Sequence, residues 1–186
     1  MMDHPCIIRY VESFEDNRYM YIVQELIDEC LSLEEVCENA LVQKKSPLMT
    51  VSDVRKLMKM IMAGMVHIHE NDIVHRDIKP ANVIIDDAFR IRIIDFGLAN
   101  YSPKQLTGGD ADYFGTPMFM APEVLLSKGA LTSYGKPVDV YACGVMFHYF
   151  LSGTYSLDRE KAMTIKELEE MICRGQVVKF EGDVWS

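Results

Sequence analysis

The sequence predicts an α+β fold, with a short β-hairpin ahead of a mainly helical body. Three observations point there. Two β-rich runs, Ile7 to Phe14 and Tyr19 to Leu26, flank the polar stretch Glu15-Asp16-Asn17-Arg18. After Thr50, apolar residues recur at helical spacing. A second long apolar run, Lys136 to Ser152, is too short to span a bilayer and reads as a buried helix.

The elements follow in chain order. Residues 1–6 read as a loop, and the two β-rich runs then form the hairpin. Leu31 to Leu41 predicts a short helix with a mixed charged face, and Gln43 to Leu48 a polar break around Pro47. The next helix opens at Thr50, with Asp53 three residues on as its capping partner. Val54, Leu57, Met58, Ile61, Met65 and Ile68 form its apolar stripe, which reads as core rather than as a binding groove. Val83-Ile84-Ile85 and Ile91 to Ile94 predict two strands joined by a tight turn at Asp86-Asp87. Residues 98–120 are rich in Gly, Pro, Ser and Asp and lack periodicity. The helix from Lys136 to Ser152 ends at Gly153. Asp139 inside it is costly unless hydrogen-bonded. A last helix runs from Thr164 to Cys173, with Thr164 and Glu167 as its capping pair and Gly175 as its stop.

Composition narrows the class. A chain of 186 residues buries one sizeable core and forms one or two domains. With 49% apolar residues it is globular, and a net charge of −9 argues against nucleic acid or an anionic membrane as the main partner. The five cysteines are odd in number, widely spaced and without a C-x-x-C pair, so they read as reduced thiols. His67, His69 and His75 fit no zinc spacing. With no visible secretory leader and no run of membrane-spanning length, a cytoplasmic or otherwise intracellular protein without a membrane segment is expected.

The chemistry concentrates in His75-Arg76-Asp77-Ile78-Lys79-Pro80-Ala81-Asn82 and in Asp95-Phe96-Gly97. The strand pair between them places Asp77, Lys79 and Asn82 at one strand's start and Asp95 at the other's end. Two oxygens there suit a hard divalent cation. The lysine suits a phosphate, and the remaining aspartate can take a hydroxyl proton.

These motifs resemble the catalytic loop and magnesium loop of eukaryotic protein kinases. Gly115-Thr116-Pro117 and Ala121-Pro122-Glu123 resemble the end of that family's activation segment. The resemblance implies a protein-kinase-like fold, with residues 1–27 as a remnant of the N-lobe and 28–186 as a C-lobe cut before its last helices. It implies ATP and Mg²⁺ as cofactors and protein serine or threonine hydroxyls as acceptors. Asp77, Lys79 and Asn82 become catalytic, Asn82 and Asp95 magnesium ligands. Glu25 and Ile27, in the hinge, join Ile84 and Asp95 at the nucleotide, and Gln24 becomes the gatekeeper. His75 packs beneath Phe96, and Asp139 ties to main-chain groups of the catalytic loop. Thr116 positions Asp77 and Lys79. Arg76 is the regulatory arginine, with Asp112 at the usual phosphosite position and Thr107 as the alternative phosphosite. Lys79 two residues after Asp77 is similar to the serine/threonine type, and Tyr141-Ala142-Cys143-Gly144-Val145 with Leu151-Ser152-Gly153 loosely resembles the calcium/calmodulin-dependent group.

The departures are equally specific. There is no G-x-G-x-x-G, strand-three lysine or C-helix glutamate, and the arginine that pairs with Glu123 is missing. Little activity is therefore expected from this polypeptide alone. The competing reading is a non-catalytic kinase-like scaffold or truncated pseudoenzyme.

Overall fold

A computed structural model describes residues 3–43, 48–101, 116–126, 134–154 and 164–175. The chain opens with the expected hairpin, β1 (Tyr10–Glu15) paired antiparallel with β2 (Met20–Gln24). Asp16 builds its turn. One carboxyl oxygen accepts the N–H groups of Arg18 and Tyr19 at 2.7 and 2.8 Å, the other the Tyr21 hydroxyl at 3.0 Å. Those bonds hold the Asp16 carboxyl below its ordinary pKa. Both faces of the hairpin are open, and Phe14 stacks on Tyr21 in solvent.

The strand begins later than the apolar run suggests. Ile7 and Ile8 are buried and leave the hairpin to pair with a strand of the helical body. Ile8 N–H donates to Ile93 O at 2.9 Å, and Ile93 N–H to Cys6 O at 2.8 Å. The reason is burial: the open hairpin offers these side chains no dry face, and the body does.

Next come β3 (Cys30–Ser32) and α1 (Leu33–Val42). The helix starts two residues after the expected Leu31, because Ser32 is its cap. Ser32 Oγ accepts Glu35 N–H at 3.2 Å, and the Glu35 carboxyl accepts Ser32 N–H at 2.7 Å. α2 (Val51–Glu70) is capped by Thr50, which accepts Asp53 N–H at 3.2 Å. Its apolar stripe is buried as expected, except that Met58 is half-buried. Gly64 sits in that stripe where a Cβ would lie 2.8 Å from the Ile93 side chain, so the helix needs glycine for its close approach.

Two short strands follow on either side of the polar loop: β4 (Ile73–Val74) pairs with β7 (Asn100–Tyr101). Between them β5 (Val83–Asp86) and β6 (Ile91–Ile93) make the second hairpin, and β3 completes a sheet in the order β3-β5-β6. The turn is longer than the two aspartates predicted, spanning 87–90 with Phe89 in the left-handed region at φ 59°. α3 (Pro122–Leu126) leads to α4 (Pro137–Ser152), which is apolar all round and ends at Gly153 with φ 73°. α5 (Ile165–Cys173) carries the expected reciprocal cap between Thr164 and Glu167.

The main core lies among α1, α2, α4, β5 and β6, and a smaller cluster joins α3, α5 and the start of α4. The fold is thus α+β, as expected, with short strand pairs set against a mainly helical body. Among the described residues, no helix is long and apolar enough to cross a membrane.

The two faces of α2 should respond differently to truncation. Ile61 is fully buried and Val66 is 52% exposed. In urea unfolding, Ile61→Ala should cost about 2–5 kcal/mol and Val66→Ala under about 0.5. Equal losses would contradict the packing.

Candidate active site

The site is built on the buried Asp139 of α4, which is 1% exposed. One of its oxygens accepts His75 N–H at 2.9 Å and meets His69 Nε2 at 2.8 Å. The other accepts Arg76 N–H at 2.9 Å. Two successive main-chain donors can converge on one carboxyl because Arg76 adopts φ 68°. That conformation is costly for a non-glycine residue. Arg76 is held there at its other end as well, since Nε donates to Leu98 O and Nη1 reaches the Tyr134 hydroxyl at 3.5 Å.

His75 is buried with its ring against Phe96, centroids 4.8 Å apart. Nε2 meets Ile94 O at 3.1 Å, and Nδ1 accepts Asp77 N–H at a long 3.4 Å. Burial pushes its pKa below the ordinary 6.5 and outweighs the nearby acidic groups and the Ile94 carbonyl. A neutral ring fits this network, with Nε2 as donor and Nδ1 as acceptor.

Asp77 and Asn82 are also buried. Asp77 Oδ2 pairs with Lys79 Nζ at 2.8 Å and accepts Asn82 Nδ2 at 2.9 Å. The same amide nitrogen donates to Asp77 O at 2.8 Å, and Lys79 Nζ reaches Thr116 Oγ1 at 3.0 Å. With Nδ2 committed to Asp77, the Asn82 side chain has its oxygen left for a cation. Asn82 O accepts Ile94 N–H at 3.0 Å, which draws Asp95 to the same edge of the sheet. Asp95 is exposed, at φ 61°, and its Oδ1 accepts Gly97 N–H at 3.1 Å. A Cβ on Gly97 would stand 3.0 Å from that oxygen, so a larger residue there would press on the carboxyl.

Asp77, Lys79, Asn82 and Thr116 therefore form one hydrogen-bonded cluster, with Asp95 tied in through the backbone. Asn82 and Asp95 are hard-oxygen donors of the kind Mg²⁺ takes when phosphates and water complete its shell. No cluster of three or more His, Cys, Asp or Glu side chains suited to a metal occurs among the described residues. Of the nucleotide candidates, Ile84 is half-buried in β5 and Ile27 O accepts Cys30 Sγ at 3.3 Å. Glu25 Oε1 accepts Arg9 N–H at 2.9 Å and Arg92 Nε at 3.2 Å. Thr107 and Asp112 lie outside the described residues. Two contacts escaped the sequence reading: His69 on Asp139, and Arg92 on Glu25. The only hint was Arg92 itself, a charge between Ile91 and Ile93 that strand alternation turns away from the core.

The buried imidazole predicts a pH effect. Unfolded His75 binds a proton near pH 6.5 and the folded residue resists it, so stability is full above that pH and declines below it. His75→Gln should flatten this acid slope in urea titrations between about pH 7 and 5. An unchanged slope would rule out His75 as its source.

Comparison with known proteins follows the geometry. The protein kinase domain profile matches residues 1–185. The cGMP-dependent protein kinase of Plasmodium berghei is 34% identical over 165 residues, covering 88% of this chain and 18% of that protein. The phosphorylase b kinase gamma catalytic chain, liver/testis isoform, of Mus musculus is 33% identical over 155 residues, covering 81% and 36%. The SNF1-related protein kinase catalytic subunit alpha KIN12 of Arabidopsis thaliana is 34% identical over 176 residues, covering 92% and 32%. This chain thus spans between 18% and 36% of the length of these relatives. With the profile match and these relatives together, the chain belongs to the protein kinase domain family, as a eukaryotic protein-kinase-like domain of the serine/threonine type.

Proposed function

We propose that the chain carries the phosphoryl-transfer centre of a protein kinase that moves the γ-phosphate of ATP to serine or threonine hydroxyls of proteins. The observation that carries this reading is the contact set of Asp77, Lys79 and Asn82, with Asp95 brought alongside by the Asn82–Ile94 main-chain bond. In this reading residues 1–27 belong to the N-lobe and 28–186 to the C-lobe.

Each side chain takes a role its contacts support. Asp77 Oδ2 is engaged by Lys79 and Asn82, so Oδ1 is left to orient the acceptor hydroxyl and receive its proton. Lys79 offsets charge on the transferred group, and Thr116 holds its ammonium in place. Asn82 Oδ1 and Asp95 would hold Mg²⁺, which when bound neutralises phosphate charge. Main-chain groups of Glu25 and Ile27 would face the adenine, with Ile84 against the ring. Arg76 anchors the segment that follows Asp95 through Leu98. Its proposed regulatory partner is Asp112, whose carboxylate partly replaces a phosphate, with Thr107 as the alternative phosphosite. The proposed partners are ATP and protein substrates, in an intracellular setting.

The exposed carboxyl is the sharpest test of the cation site. Asp95→Asn should abolish Mg²⁺-dependent binding of ATP in calorimetric titration while leaving the melting temperature close to wild type. Retention of Mg²⁺-dependent binding would contradict the assignment. Asp77→Asn should slow phosphorylation of a serine peptide by about 10²–10⁴ with nucleotide affinity little changed. Any turnover this chain shows on serine peptides should be absent on matched tyrosine peptides.

A further inference from the structure

We propose that Arg92 and the Glu25 side chain form a positioning strut that fixes the 25–27 segment relative to Asp95 and thereby sets nucleotide affinity. The inference rests on the nucleotide reading above and names a control element within it. Neither side chain is asked to touch the nucleotide.

The β1–β2 hairpin buries no face of its own among the described residues, so its placement depends on where the chain enters and leaves it. Entry, over residues 3–9, is fixed by the pairing of Cys6 and Ile8 with Ile93 on β6. Exit begins at Glu25, directly after β2. Glu25 N–H donates to Arg9 O at 2.9 Å, and its Oε1 accepts Arg9 N–H at 2.9 Å. The same oxygen accepts Arg92 Nε from β6 at 3.2 Å. One carboxyl therefore joins entry, exit and the helical body. Arg92 is itself oriented by a 2.9 Å bond from Nη1 to Ile91 O.

Each partner of the pair is 21% exposed, so its attraction is less diluted by water than that of a surface pair. Burial raises the Glu25 pKa, but the Arg9 N–H and the guanidinium outweigh it and hold the carboxyl below its ordinary range. The consequence lies in β6. That strand carries Arg92, and two residues beyond its end comes Asp95, directly after Ile94, whose N–H donates to Asn82 O. The strand that would present the cation ligand also grips the segment that would present main-chain groups to the adenine. Freeing that segment from β6 separates the two halves of one ligand site without removing either.

The test uses the purified chain and a fluorescent N-methylanthraniloyl ATP analogue with Mg²⁺. Arg92→Met and Glu25→Gln should each weaken binding about threefold to tenfold, and the double variant no further than the worse single one. Arg92→Lys should restore most of the affinity, which a purely volume-filling role would not require. Wild-type affinity in Arg92→Met, or additive losses in the double variant, would overturn the proposal. Amide exchange at Arg9 and Glu25 separates the two readings. Arg92→Met should speed exchange there and leave His75 and Arg76 unchanged, and unchanged exchange at Arg9 and Glu25 would reject the strut. Absence of analogue binding by wild type would instead reject the nucleotide site, and with it the strut's role in affinity.

Discussion

A carboxyl group out of contact with water holds the centre of this molecule together. Asp139 is expensive to bury, and the expense is met by three donors, two of them successive main-chain N–H groups. Remove the carboxyl and those two donors lose their partner in a dry site, at about 1–3 kcal/mol each. Arg76 would lose one of the bonds that keep it at positive φ. The direction in which Asp77, Lys79 and Asn82 leave the loop depends on that one conformation. α4 suits the task because it is apolar on all sides and locked between α2 and the smaller core. The loop is therefore referenced to a helix that is packed into both cores.

From that anchor the polar groups are assembled in two steps. The Asn82 amide locks onto Asp77, and the Asn82 carbonyl then takes Ile94 N–H from the neighbouring strand. A second residue at positive φ, Asp95, lies just past the second step. Strained residues persist only where the surroundings over-determine them, and here the two bracket the cluster. Buried His75 fills the space between, touching Phe96, Ile94 O and Asp77 N–H, so loop, strand end and glycine turn share one packed contact. Positioning of this kind is what phosphoryl transfer asks of a protein.

Much of this was legible in the chain because local signals carried it. The stripe of α2, the apolar run of α4, the Thr164–Glu167 cap and the β5–β6 hairpin each depend on residues a few positions apart. The Ser32–Glu35 cap is equally local, and it sets the start of α1 two residues after the expected Leu31. Ile7 and Ile8 read as hairpin because alternation says nothing about which sheet a strand joins. β3 is three residues long and exists only through its pairing with β5. The contacts of His69 with Asp139 and of Arg92 with Glu25 join residues about seventy positions apart, where no period or spacing rule reaches. The candidate site was legible through four polar residues at recognisable spacing. What holds them together was not.

The central claim is that Asp139 sets the conformation from which the cluster is built. Native-state amide exchange at His75 and Arg76, compared between wild type and Asp139→Asn, tests it most directly. The account predicts that protection at these two amides falls sharply in the variant while amides in the middle of α2 stay protected. Equal protection of His75 and Arg76 in the two proteins would contradict it.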